Sequence, residues 1–315
     1  MRVAAFDCGT NSLRLLIADV DEDGNLHELR RETRIVRLGQ GVDATGEFAP
    51  EALERTFAAA QEFAEAAAEF SPEKLRFVAT SASRDAQNRD EFFAGIFRIL
   101  GVVPDVITGD EEAQLSFLGA TVGRGMDSGP FMVMDLGGGS TELVLGTSGV
   151  ESAVSMDIGS VRLTERHMAT DRPDSEQIAA AVADIEEHLD QAATILDFSA
   201  PRTFIGVAGT VTTLTAGILG LDSYQRERIH GAHLNVGDIE RQADELLSMD
   251  REARAALPYM HPGRVDVIGA GGLLFSRVAR RIDAAVVSTG AELDITVSET
   301  DILDGIALDL TRPPQ

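Results

Sequence analysis

One pattern occurs twice in this chain. Residues 3–20, VAAFDCGTNSLRLLIADV, and residues 131–146, FMVMDLGGGSTELVLG, each run an apolar strand into an aspartate. Each then turns through glycine and hydroxyl residues and resumes a strand. Aligning Asp7 with Asp135 places Gly9 on Gly137 and Ser12 on Ser140. Units recurring every roughly 20–50 residues would mark a solenoid; so wide a spacing marks one duplicated domain. Both turns are short and held, because Val133 and Met134 run straight into Asp135 and Thr141–Leu145 resumes the strand. Gly137, Gly138 and Gly139 lack a Cβ, so they expose backbone N–H groups and admit a bulky anion, as phosphate loops do. Asp135 and Glu142 add hard oxygen ligands for a magnesium ion that would shield the anion. Two facing hairpin loops of this kind would clamp a phosphate chain between two lobes.

The rest of the chain bounds the partners. Its 315 residues suit two domains. No apolar run reaches about 18 residues, and the N-terminus enters a strand with no signal peptide. The single cysteine, Cys8, excludes an internal disulfide framework and reads as small apolar packing. A cytoplasmic protein is expected. A net charge of −25 disfavours nonspecific binding to nucleic acid or an anionic membrane. A polyanionic substrate then needs a local basic patch. Lys74 is the single lysine, so that patch must be arginine, whose planar fork suits phosphate oxygens.

Periodicity predicts strands at 3–8, 13–20 and 26–36, a helix at 50–70 opened by Pro50-Glu51, a strand at 75–80, a helix at 89–100 and a strand at 103–107. A helix opens near Asp110, and the polar, glycine-rich stretch 123–130 reads as the domain boundary. The second half repeats the theme with strands at 131–136, 141–146 and 150–156, then helices at 160–168 and 174–196. A strand at 203–207 runs into a helix at VAGTVTTLTAG. Helices at 237–248 and 265–281, a strand at 284–288 and a last helix at 299–310 complete the chain. The domains expected are 1–124 and 125–298, with 299–315 crossing back to the first.

The twin hairpins resemble those of the actin, Hsp70 and sugar-kinase fold: a duplicated, ribonuclease H-like α/β architecture of two lobes with its active site in the interlobe cleft. Nine ordered blocks resemble the exopolyphosphatase and guanosine pentaphosphate phosphohydrolase family of that superfamily. They are DCGTNSLRLLI (7–17), VATSASRDAQN (78–88), ITGDEEAQLSFLG (107–119), DLGGGSTEL (135–143), GSVRLTERH (159–167), GVAGTVTTL (206–214), IHGAHL (229–234), PGRVDVIGAGG (262–272) and SETDILDGI (298–306).

A glutamate pair opening a helix reads by itself as charge favoured by the helix dipole. The resemblance makes Glu112 the general base that aims a water at the terminal phosphorus, and leaves Glu111 a solvated neighbour. It also makes Arg84 a contact of the reacting phosphate, against a surface pair with Asp85. It assigns Gly9, Thr10, Asn11, Ser12 and Arg14 of loop one, and Gly137, Gly138, Gly139, Ser140 and Thr141 of loop two, to phosphate binding. Asp135 and Glu142 match the metal-side carboxylates, and Asp7 supports the ion or orients loop one. Gly209 and Thr210 sit at a strand-to-helix turn whose free N–H groups attract an anion. Arg162 reads equally as a phosphate contact or as an ion pair with Glu165. His230 and His233 lack metal-ligand spacing and read as packed or loop histidines, and Pro262-Gly263 as a turn.

These assignments imply magnesium-dependent hydrolysis of the terminal phosphoanhydride of inorganic polyphosphate, with manganese as a possible substitute. The alternatives are a guanosine pentaphosphate 5′-phosphohydrolase acting on a (p)ppGpp-type nucleotide, and an actin-like ATPase or kinase. A homodimer is expected. Longer members of the family carry a further helical module after the block that ends here in SETDILDGIALDL, which sets an expectation of short substrate chains released after few cuts.

Overall fold

The computed structural model describes residues 1–168 and 170–312; the end of the expected last segment, 313–315, lies outside them. The chain divides into two compact units, Met1–Gly119 with the segment from Asp301 on, and Ala120–Thr300. The first unit is a sheet of β1 (Arg2–Cys8), β2 (Ser12–Val20), β3 (Leu26–Ile35), β4 (Lys74–Ala79) and β5 (Asp105–Val106) in the order β3-β2-β1-β4-β5. β1, β2 and β3 form the antiparallel meander, while β4 and β5 run parallel to β1. The second unit holds β6 (Phe131–Leu136), β7 (Thr141–Gly146), β8 (Val150–Met156), β9 (Thr203–Val207), β10 (His233–Leu234) and β11 (Asp294–Val297). Its order is β10-β11-β9-β6-β7-β8, so β8-β7-β6-β9-β11 repeats the first sheet with β10 added antiparallel at one edge. The duplicated ribonuclease H-like topology is therefore present in both halves.

Alternation puts a core on each face of the first sheet. Ala4, Phe6 and Cys8 of β1 point into a cluster with Phe63, Phe77 and Phe92, under helices Pro50–Phe70 and Arg89–Leu100. Val3 and Ala5 face Leu303 and Ile306 of helix Ile302–Asp309. Burial pushes the Cys8 thiol well above its ordinary value, so it is packing material and not a nucleophile. The outer strand β3 instead alternates arginine and glutamate, with Arg30 bonded to Glu32 and Arg34 to Glu62, which suits an edge.

One expected element is different. Residues 284–288 do not form a strand; they finish helix Ile268–Ser288, and the strand is β11 at 294–297. Val286 and Val287 favour a strand locally, but Leu274, Val278, Ile282 and Val286 are buried at a spacing of four, which is a helical stripe. Packing overrides propensity there.

In the first unit, helix Gly109–Thr121 crosses helix Ile302–Asp309 at backbone contact. A Cβ on Gly119 would lie 1.8 Å from the Asp301 carbonyl oxygen, and one on Gly305 would lie 1.9 Å from that of Leu115. Gly119→Ala is expected to cost about 1–3 kcal/mol or more, because neither backbone can step aside. Denaturant titration checks this; an unchanged midpoint would mean that the helices part freely.

Candidate active site

In the first unit, β1, β4 and β5 run parallel and end side by side, so the residues that follow them converge. This is the edge of an α/β sheet where ligands bind. Loop one closes with the Gly9 N–H donating to the Ser12 carbonyl at 3.0 Å. Its other carbonyls are tied from behind: Asn11 O accepts from Val36 N (3.0 Å) and Arg37 N (2.9 Å), and Thr10 O from Gly39 N (2.9 Å). The N–H groups of Thr10 and Asn11 have no acceptor among the described residues. The Thr10 hydroxyl shares a 2.9 Å hydrogen bond with Ser81, in the helix Ser81–Asp85 that follows β4.

Glu112 stands in the first turn of helix Gly109–Thr121, after β5, and is 7% exposed. The Arg84 Nη1 donates to its Oε2 at 2.8 Å and to the Ile107 carbonyl at 3.0 Å, and Thr80 hydrogen-bonds to it as well. Burial pushes the Glu112 carboxyl above the ordinary glutamate value; Arg84 and the Thr80 hydroxyl oppose this, while the charge of Asp7 reinforces it. Glu111 goes elsewhere, its Oε1 taking a 2.5 Å hydrogen bond from Arg76 at the surface. Arg84 thus pairs with Glu112 and holds the two helices that follow β4 and β5 together.

Asp7 and Arg14 are directly opposite across β1 and β2. The Arg14 Nε donates to Asp7 Oδ2 at 2.8 Å, and its Nη1 donates to Asp301. Asp301 caps helix Ile302–Asp309, accepting from Leu303 N at 3.0 Å, and its own N–H donates to Asp304, which Arg31 grips. Burial pushes Asp7 up against the pull of Arg14. Asp301, equally buried, is nonetheless held low by Arg14 and Arg31.

The second unit repeats the loop construction. Gly137 N–H donates to the Ser140 carbonyl at 3.0 Å. The carbonyl of Gly137 accepts from Ser160 N, and that of Gly138 from Val161 N and Arg162 N, so the opening of helix Ser160–His167 fastens the back of the loop. This needs Gly159, where a Cβ would sit 2.5 Å from the Gly138 oxygen. The N–H groups of Gly138 and Gly139 have no acceptor among the described residues. None of the loop glycines has a left-handed φ. Thr141 is fully buried and its hydroxyl donates to the Ile158 carbonyl at 2.7 Å, while Ser140 is 2% exposed.

Where the first unit sets an arginine against its aspartate, the second sets a carboxylate: Asp135 is directly opposite Glu142. The two are 6% and 1% exposed, and Ser155 of β8 donates to Glu142 Oε1 at 2.7 Å. After β9, Ala208 takes a left-handed φ of 70° and starts helix Ala208–Ile218. Arg264 lies over Gly209, whose carbonyl accepts from the Thr213 hydroxyl at 2.6 Å. Thr210 packs against Gly271, and His230 accepts from the Glu299 N–H at 3.1 Å. Thr80, Ser155, Arg264 and Asp301 escape sequence reading, because their partners are brought to them only by strand register and chain return.

A duplicated α/β fold of the actin-like class, with a glycine-containing loop after the first strand of each unit fastened by backbone hydrogen bonds, is what these features define. Residues 16–292 match the Ppx/GppA phosphatase family. The chain belongs to that family. Exopolyphosphatase 2 of Mycobacterium tuberculosis is 49% identical over 318 residues, spanning 98% of both chains. A solved exopolyphosphatase-like protein is 50% identical with a TM-score of 0.94, the match covering 98% of this chain and 97% of that one. The Aquifex aeolicus Ppx/GppA family member is 31% identical with a TM-score of 0.79, again over 98% and 97%. Among the described residues, no helix is long and apolar enough to cross a membrane.

Proposed function

We propose that the protein is a magnesium-dependent exopolyphosphatase that hydrolyses the terminal phosphoanhydride of short inorganic polyphosphate chains. The observation that carries this reading is Glu112, a buried carboxylate raised above its ordinary range and fixed by Arg84 and Thr80, in the unit whose first loop leaves the Thr10 and Asn11 amides without an acceptor among the described residues. Glu112 takes the proton of a water as its oxygen attacks the terminal phosphorus. The bridging P–O bond breaks, orthophosphate leaves, and the chain is one phosphate shorter. In the first unit Arg84 and the N–H groups of Thr10 and Asn11 stabilise charge on phosphate oxygens, and the Ser12 hydroxyl helps to place them; in the second unit the N–H groups of Gly138 and Gly139, the Ser140 hydroxyl, Gly209 and Thr210 serve phosphate oxygens in the same manner. Arg14 and Thr141 keep the loops in shape, and Asp7, gripped by Arg14, orients loop one.

The donors at β6 and β7 fit magnesium. They are hard oxygens from two buried carboxylates, and an ion of this kind is commonly held by one or two carboxylates, waters and substrate phosphates. No group of three or more His, Cys, Asp or Glu that could hold an ion occurs among the described residues. Asp135 and Glu142 would hold the ion, and once bound it would neutralise phosphate charge. The name of the M. tuberculosis relative supports polyphosphate as substrate. The net charge of −25 supports short chains, since little basic surface remains to neutralise a long one.

Phosphate release from short polyphosphate, guanosine pentaphosphate and ATP, measured side by side, tests this. Polyphosphate should give the highest kcat/KM; preference for either nucleotide would replace the proposal. The pH profile adds a second check. The base works ionised, so kcat/KM should fall as acid protonates Glu112. Because burial raises that carboxyl, the acid limb should lie above the ordinary glutamate value of about 4.3. A limb at or below that value would contradict the assignment.

A further inference from the structure

The two units answer one electrostatic problem differently. Each places a buried aspartate near the end of its first strand, with the residue seven positions later directly opposite it. In the first unit that residue is Arg14, and its guanidinium neutralises Asp7. In the second it is Glu142, so two carboxylates confront each other with almost no access to water. Like charges at opposed ladder positions repel. Two buried carboxylates at opposed ladder positions offer the hard oxygen donors that a divalent cation takes.

Glu142 has a further neighbour. Ser155 faces it from the other side in the β7–β8 register, and the hydroxyl donates to Oε1 at 2.7 Å. A free glutamate side chain rotates about three bonds, and a ligand that wanders binds weakly. We propose that Ser155 is a positioning residue for the divalent cation: its hydrogen bond fixes the Glu142 carboxylate so that it meets the ion together with Asp135. Hydrogen bonds of this kind behind a metal ligand commonly decide 10–100-fold in metal affinity, by order of magnitude. This inference rests on the proposed metal reading.

Manganese binding to chelator-stripped protein, followed by electron paramagnetic resonance and calorimetry without substrate, tests it directly. Ser155→Ala should weaken manganese binding by about 10-fold or more and raise the magnesium concentration for half-activation by a similar factor. Ser155→Thr, which keeps the donor, should stay near wild type. Ser155→Val matches threonine in shape without the hydroxyl, so the Thr and Val pair repeats the test if the alanine variant folds poorly. Melting in chelator reports folding apart from metal. Equal manganese affinity in wild type and in a folded Ala or Val variant overturns the role of Ser155 while leaving the metal reading in place. Failure of the wild type itself to bind manganese removes both.

Discussion

Glu112→Gln should lower turnover by about 10²–10⁴-fold while the protein still folds and binds a phosphate chain. The amide preserves shape and its oxygen can still accept from Arg84, so the pairing of the helices after β4 and β5 survives. It loses basicity, and with it the ability to draw a proton from water. Burial raises the wild-type carboxyl and thereby makes it a better base near neutral pH than an exposed glutamate. Glu111 cannot substitute, because it is turned to the surface and paired with Arg76. Single-turnover phosphate release with a parallel binding titration checks the result. Near-normal turnover in a folded variant would remove Glu112 from the mechanism.

Chelation should abolish activity, and Asp135→Ala should come close to doing so even at high magnesium. The substitution leaves Glu142 as the sole carboxylate of the pair, still held by Ser155. One buried carboxylate binds magnesium far more weakly than two. Activity measured against magnesium concentration reads the effect. Full activity of stripped wild type in metal-free buffer would contradict the metal requirement.

The sequence made the hairpins legible because they depend on local facts: an aspartate closing a strand, glycines, and a second strand in alternation. The fold followed from seeing that pattern twice. What stayed hidden depends on distance. Arg14 shows its type but not its partners, and one of them, Asp301, lies 287 positions away. Ser155 is an ordinary serine until register sets it against Glu142. The tail of helix Ile268–Ser288 misleads for the opposite reason, since two adjacent valines speak for a strand while the buried stripe is spread over the whole helix.

Both loops are fastened from behind, at Val36, Arg37 and Gly39 in one unit and at Ser160, Val161 and Arg162 in the other. An anion bound there as proposed would meet a backbone that folding has already fastened. Ordering a flexible backbone costs about 1–2 kcal/mol per residue, and here that loss belongs to folding and is not repeated at each encounter. Under the proposed function each loop would then act as a preformed mould, favouring ions whose size and tetrahedral shape match it.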